Sequence, residues 1–225
     1  MKPRIIFLIG PPGSGKTTQS IYLEQDLNFH HIESSQLIRD VFSDEEKIKN
    51  DSTIIEEKKK YDSGELVSSE WVSGLIKEKL VDLSEKNTDA VFGGFPRNIE
   101  EVVDLVQFME ANFSKGVFKI IHLDIDKDES LKRNSIRKVC VDRGHPIPPE
   151  FIESEKCPWD GSAFTKRDMD SPEIIIERFK VYLEETEPVL EFLKENKPEY
   201  IEVLDGENPI SEIHKQIISI IEKND

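Results

Sequence analysis

Eight residues near the start of the chain limit its fold more than anything else in it. Gly10-Pro11-Pro12-Gly13-Ser14-Gly15-Lys16-Thr17 has the spacing G-x-x-x-x-G-K-[ST] and follows the unbroken apolar run Ile5-Ile6-Phe7-Leu8-Ile9. Such a run, ended by glycine, reads as a central parallel strand covered on both faces. A helix is expected from about Lys16 to Leu27. Strand, glycine-rich turn and helix together make a phosphate-binding loop: the glycines let backbone N–H groups and the helix N-terminus face an anion, the lysine adds a point charge, and the threonine reaches a magnesium ion.

Similar apolar runs recur at Ala90-Val91-Phe92, Phe118 to Leu123 and Tyr200 to Leu204. Helices are expected between and after them at Ser35–Phe42, Ser68–Leu83, Asn98–Asn112, Asp126–Lys138, Pro172–Glu195 and Pro209–Glu222, several opening on Ser, Asp or Asn. This alternation predicts an α/β fold with a parallel sheet. Two stretches break the rhythm. Residues from about Glu33 to Val67 are charged and helix-rich with a break at Gly64; those from about Val139 to Lys166 hold most of the proline, both cysteines and little helical periodicity. Both read as mobile lobes on one domain.

The net charge of −16 and pI near 4.8 set the field against polyphosphate, so arginines that cluster must work against the surface rather than express it. Nucleic acid is not expected as a partner. Cys140 and Cys157 are the only cysteines, which excludes a dense disulfide framework and fits a reducing, cytoplasmic setting. The apolar run stops at Gly10, too short for a signal-peptide core or a membrane span. The switch GTPases fail on their other motifs: D-x-x-G is missing, and Asn196-Lys197-Pro198-Glu199 lacks the aspartate of N-K-x-D.

From the loop onward, nearly the whole chain resembles the adenylate kinases and their UMP/CMP kinase cousins. His31-Ile32-Glu33-Ser34-Ser35-Gln36-Leu37-Ile38-Arg39 is similar to the family's H-I-S-T-G-D-L-L-R, Asp62-Ser63-Gly64-Glu65-Leu66-Val67 to its D-x-G-x-L-V, and Gly93-Gly94-Phe95-Pro96-Arg97 to its D-G-F-P-R. Arg133 and Arg137 match two arginines at the mouth of the family's lid, and Arg167 and Arg178 match a further pair on phosphates. The resemblance implies a three-layer P-loop NTPase fold with a parallel five-stranded sheet: core 1–32, 68–137 and 168–225, a helical monophosphate-binding lobe 33–67, and a lid 138–167. It implies phosphoryl transfer from ATP, carried with magnesium, to AMP, giving two ADP, in a monomer free of membrane and nucleic acid. Gly13, Ser14, Gly15, Lys16, Thr17, Thr18, Arg133 and Arg137 would hold ATP, Arg133 by stacking on its base. Ser34, Arg39, Leu66, Val67, Gly94, Arg97, Glu101, Arg167 and Arg178 would hold the acceptor. Lys16, Arg97, Arg137, Arg167 and Arg178 would neutralise the migrating phosphoryl group.

Four departures bear on chemistry. Gln36 and Gly93 stand where the family has two aspartates around magnesium, so the ion is expected to rest on Thr17, phosphates and solvent, with lowered or unusual magnesium dependence. Glu101 stands where the adenylate kinases have a glutamine that reads adenine and the UMP/CMP kinases an asparagine; neighbouring Glu100 is the alternative inward residue. Asn98 leans to the UMP/CMP branch, whereas Ser34 and the long lid lean to adenylate kinase. In the lid, Cys140, Cys157 and Asp160 fall on three of the four positions of a C-x-x-C…C-x-x-C/D zinc site, Arg143 stands at the fourth, and His145 is the substitute ligand. A lid held by hydrogen bonds and packing of Trp159, with two free thiols, is the alternative. A kinase for CMP, UMP or GMP, a nucleotide-binding sensor without turnover, and an ATPase with a protein partner are the competing functions.

Overall fold

A computed structural model describes residues 3–63, 65–113, 118–142, 144, 146–148, 151, 153–154, 156–158, 160–167 and 170–223. The first apolar run becomes β1, Ile5–Ile9, with every residue buried. Its neighbours are β2 (His30–Glu33), β3 (Ala90–Gly93), β4 (Phe118–Asp124) and β7 (Ile201–Asp205), all parallel in the order β2-β3-β1-β4-β7. The order reverses beside β1, and at such a switch point the carboxyl ends of adjacent strands open a crevice for ligand.

Alternation along β1 divides the core in two. Ile5, Phe7 and Ile9 face a cluster with Phe92, Phe95, Ile76, Leu80, Leu105, Met109 and Leu193. These come from β3 and its loop and from α5 (Ser69–Glu85), α6 (Ile99–Asn112) and α9 (Glu187–Asn196). Ile6 and Leu8 face Leu23, Val91, Ile121, Ile213 and Ile217, so α1 (Lys16–Leu27) and α10 (Ile210–Glu222) cover the other side. Each such side chain contributes roughly 1.5–3 kcal/mol when fully buried, and the stacked pair Phe7 and Phe92, centroids 4.9 Å apart, lies directly beneath the crevice.

Four of the five strands are the four apolar runs; the fifth, β2, is an edge strand in which only Ile32 is buried. Between β2 and α5, three helices form a satellite around Val41, Phe42 and Ile54: α2 (Ser34–Ser43), α3 (Glu45–Asn50) and α4 (Ser52–Asp62). Asp44 and Asp51 start α3 and α4 by accepting from the backbone N–H groups of Glu46, Lys47 and Thr53. Glu57 ties the far end of this unit by accepting from the Ser68 backbone and hydroxyl, both at 2.8 Å. The expected break at Gly64 lies outside the described residues.

Two expected helices are corrected. The helix expected over Asp126–Lys138 is α7, Lys127–Ile136, and Arg137 is its C-cap with extended backbone, so Arg133 and Arg137 do not share a helix face. The helix expected over Pro172–Glu195 is two helices, α8 (Pro172–Val181) and α9, joined by a π-helical turn at Tyr182–Thr186. The cause is Pro188: without an N–H and with a ring pressing on the preceding turn, it disfavours a regular α-helix there, and the wider turn relieves the clash. The Thr186 hydroxyl then donates to the Arg97 carbonyl at 2.9 Å. The irregular stretch is not wholly irregular either, since β5 (Val139–Cys140) and β6 (Phe164–Thr165) pair antiparallel over a small core of Cys140, Ile147 and Cys157. Among the described residues, no helix is long and apolar enough to cross a membrane.

Candidate active site

The glycine-rich loop leaves β1 at Gly10 and delivers the chain into α1 through Gly15, at φ 97°, with no side chain capping the helix. First-turn amides without a protein acceptor are what an incoming anion binds. Lys16 curls over the loop and donates from Nζ to the carbonyls of Gly10 and Pro11, each at 2.8 Å, and to Ser14 Oγ at 3.2 Å. Ser14 is fully buried and its N–H already donates to Pro11. Burial, opposed by Glu33 and reinforced by Arg178, Arg97 and Arg137, pushes the Lys16 ammonium down to about 7. A polyphosphate would reverse that shift by supplying the missing counter-charge. Thr17 donates from its hydroxyl to Glu33 Oε1 at 2.9 Å, and Thr18 is buried behind it.

Two further residues brace the loop from α7. Ser130 donates to the Pro12 carbonyl at 2.7 Å, and a Cβ at Gly13, already at φ 80°, would stand 2.6 Å from Asn134 Nδ2. Sequence reasoning missed this pair. The signal was a helix with few apolar residues whose buried members, Ser130 and Asn134, are polar and four apart.

Across the crevice, β2 and β3 end side by side, with Glu33 opposite Gly93. Buried Ser34 donates to the Gly94 carbonyl at 2.8 Å. Arg97, exposed, donates from Nε to the same carbonyl at 2.7 Å. Its backbone N–H reaches Glu101 Oε2 at 2.7 Å. Of the two acidic candidates on α6, Glu101 is inward and buried whereas Glu100 is exposed. Burial raises the Glu101 carboxyl above its ordinary range against the pull of Arg97. Exposed Arg39 donates to Gln36 at 2.7 Å, and Gln36 in turn to Asp40. Val67 packs on the core, whereas Leu66 is 88% exposed.

The remaining arginines stand on three separate stretches. Arg133 donates to Glu129 on its own helix at 2.7 Å. Arg137 is bound through two nitrogens to the Asp170 carboxylate, with Nε at 2.8 Å. Arg178, on α8, has a buried Nη1 with no partner among the described residues. Burial, then Arg167 and Arg137, pull its guanidinium down to about 10. Arg167 is likewise held below its ordinary value, by desolvation first and Arg137 next. Asp170 partly offsets this mutual repulsion, and desolvation outweighs it.

At the outer stretch, Cys140, Cys157 and Asp160 bring one ligand atom each to within 4.8 Å of one another. Cys140 Sγ donates to Asp160 Oδ2 at 3.2 Å, and Ser162 donates to Oδ1 through its backbone and hydroxyl, which holds that carboxyl far below the usual range. His145, Arg143 and Trp159 lie outside the described residues.

A family model described as Adenylate kinase matches residues 8–198. Curated proteins named Adenylate kinase are similar over almost the whole chain. The one from Petrotoga mobilis is 32% identical over 221 residues, 97% of each chain. That from Oceanobacillus iheyensis is 30% identical over 224 residues, 97% of this chain and 99% of the relative. That from Chlamydia trachomatis serovar D is 31% identical over 229 residues, 96% of this chain and 89% of the relative.

Proposed function

This chain belongs to the adenylate kinase family, and we propose that it transfers the terminal phosphoryl group of ATP to AMP, giving two ADP. One observation supports the reading above the others: Arg97 after β3, Arg137 after α7 and Arg178 on α8 all press electrostatically on Lys16 of the loop. A multiply charged anion bound among them would relieve the repulsion that Glu33 and Asp170 offset only in part.

Phosphoryl transfer asks the protein for position and charge rather than covalent help. The bond from the γ-phosphorus to its bridging oxygen breaks as an AMP phosphate oxygen attacks in line. Lys16, with the Gly13, Ser14, Gly15, Thr17 and Thr18 segment, holds the donor phosphates, and Arg133 the donor base. Arg39 and Arg97 orient the acceptor phosphate. Arg137, Arg167 and Arg178 neutralise the equatorial oxygens, for which Arg137 exchanges Asp170 for phosphate. Ser34, Val67, Leu66, Gly94 and Glu101 line the acceptor pocket, Glu101 with a buried carboxyl that faces the base. The Thr17 hydroxyl, an oxygen donor at the start of α1, fits magnesium, which when bound neutralises the donor phosphates. Segments 33–67 and 138–167 act as lobes closing over the core 1–32, 68–137 and 168–225 to exclude water. Lobes that swing independently fit a monomer, and the two thiols a cytoplasmic one.

A coupled assay of ATP with AMP, CMP, UMP and GMP, beside an ATP-only blank, tests the reading. AMP is expected to give the highest kcat/KM and the blank no turnover. A higher value for CMP or UMP would reassign the acceptor, and binding without transfer would make the protein a sensor.

The outer Cys–Cys–Asp set has the donor chemistry of a structural zinc site. We place a zinc ion there, completed by a fourth ligand. Purified protein should carry about one equivalent of zinc and melt several degrees lower after chelation. Zinc well below one equivalent, with melting indifferent to chelator, would leave the Cys140–Asp160 hydrogen bond as the fastening.

A further inference from the structure

Glu33 is a carboxylate that touches the phosphate loop, where in the free protein its partners are Thr17 and His31, with Lys16 nearby. Its Oε1 accepts from the Thr17 hydroxyl at 2.9 Å and stands 3.2 Å from His31 Nε2. It is close enough to Lys16 and Arg167 to act on the charge of both. Some 28% of its side-chain surface is open to the crevice. A polyphosphate seated on Lys16 and the α1 amides would bring more negative charge against this carboxylate at short range. Like charges in a partly desolvated site repel strongly unless something positive lies between them. The geometry around it is built to keep it: a Cβ at Gly93 would stand 2.7 Å from both Glu33 oxygens, so the glycine on the adjacent strand is the clearance that this carboxylate occupies.

We propose that Glu33 is the protein carboxylate for the magnesium of bound Mg-ATP, acting with Thr17 and directly or through a metal-bound water, and that Gly93 is small to make room for it. The acid expected at the end of β3 has thus moved sideways to the end of β2. The proposal departs from the expectation that magnesium rests on Thr17, phosphates and solvent alone, and on it the magnesium dependence should be ordinary. A carboxylate and a hydroxyl are hard oxygen donors of the kind that magnesium takes, so Glu33 and Thr17 would hold the ion that neutralises the donor phosphates. The inference rests on the phosphoryl-transfer reading above.

The test measures binding rather than turnover. Manganese, which takes the same oxygen ligands, is titrated into the protein with a β,γ-imido ATP analogue and followed by its paramagnetic resonance, with analogue binding also measured in chelator. Glu33→Gln should weaken manganese binding to the protein–analogue complex about tenfold. The same variant should bind the metal-free analogue about threefold more tightly, because a repulsive charge is gone. Opposite signs are the signature, since a purely structural role would weaken both. Unchanged manganese affinity, or the two affinities falling together, would overturn the proposal. The double variant E33S/G93D returns a carboxylate to β3 and should bind manganese within about threefold of the wild type, whereas G93D alone, its side chain forced against Glu33, should not. Failure of the double variant to bind the ion would count equally against it. Wild-type protein that neither binds the analogue nor transfers phosphate to AMP would instead sink the functional reading itself.

Discussion

Lys16→Met is expected to lower turnover about a thousandfold, the upper end of what one electrostatic donor at a reacting phosphate or oxyanion supplies, while leaving the protein folded. Methionine keeps the unbranched stem and removes only the ammonium. In the free protein that ammonium is occupied by the Gly10 and Pro11 carbonyls and Ser14, so three hydrogen bonds are lost with it. They lie at a partly desolvated site where burial already draws the lysine down to about 7, so the loss is partly offset and stability should change by no more than about 1 kcal/mol. The coupled assay and a circular-dichroism melt read the two effects separately. Turnover within tenfold of the wild type would show that the loop does not carry the transferring phosphate.

The second large effect runs in two directions at once. Arg178→Met should lower kcat about a hundredfold or more and raise the melting temperature. Among the described residues Arg178 keeps a buried Nη1 without an acceptor, and it shares its surroundings with Arg167 and Arg137, whose charges disfavour its own. Methionine fills similar volume without the charge, and relief of a buried cation only partly balanced by Asp170 should be worth about 1 kcal/mol, or roughly 2–4 °C for a chain of this size. A variant less stable and still active would mean that Arg178 packs the fold and does not meet phosphate. Function held at the expense of stability is the mark of a site awaiting its ligand.

Much of this was legible in the residues. Ile5–Ile9 announced a buried central strand because both of its faces are apolar, and the glycine–lysine–threonine loop after it could serve little else. The edge strand His30–Glu33 was not visible as an apolar run, since one face alone meets the core and Ile32 is its single buried residue. Arg137 was placed on a helix by spacing; its tie to Asp170, far along the chain, takes it off, and local pattern cannot carry such a contact. Pro188 was readable as a helix breaker, but the response to it, a π-helical turn instead of a stop, depends on packing by α8 and α9 on either side. Glu101 over Glu100 was a choice of register that only the buried face of α6 resolves. Glu33 was the larger omission. Position by position, Gly93 looked like a loss; the side chain answering for it belongs to the neighbouring strand, and two residues sixty apart become alternatives for one volume only after the sheet has formed.

The clasp between Arg137 and Asp170 brings together the two ends of the excursion that carries Cys140, Cys157 and Asp160. A detour that departs from and rejoins its parent body at a single point behaves as a graft: its length and contents can be exchanged with little entropic penalty and no re-aiming of the strands beneath. Swapping the part of that segment outside Arg137, Arg167 and Asp170 for a shorter turn, or for one from a relative adapted to another temperature, should therefore leave those three side chains and the strands beneath them in place.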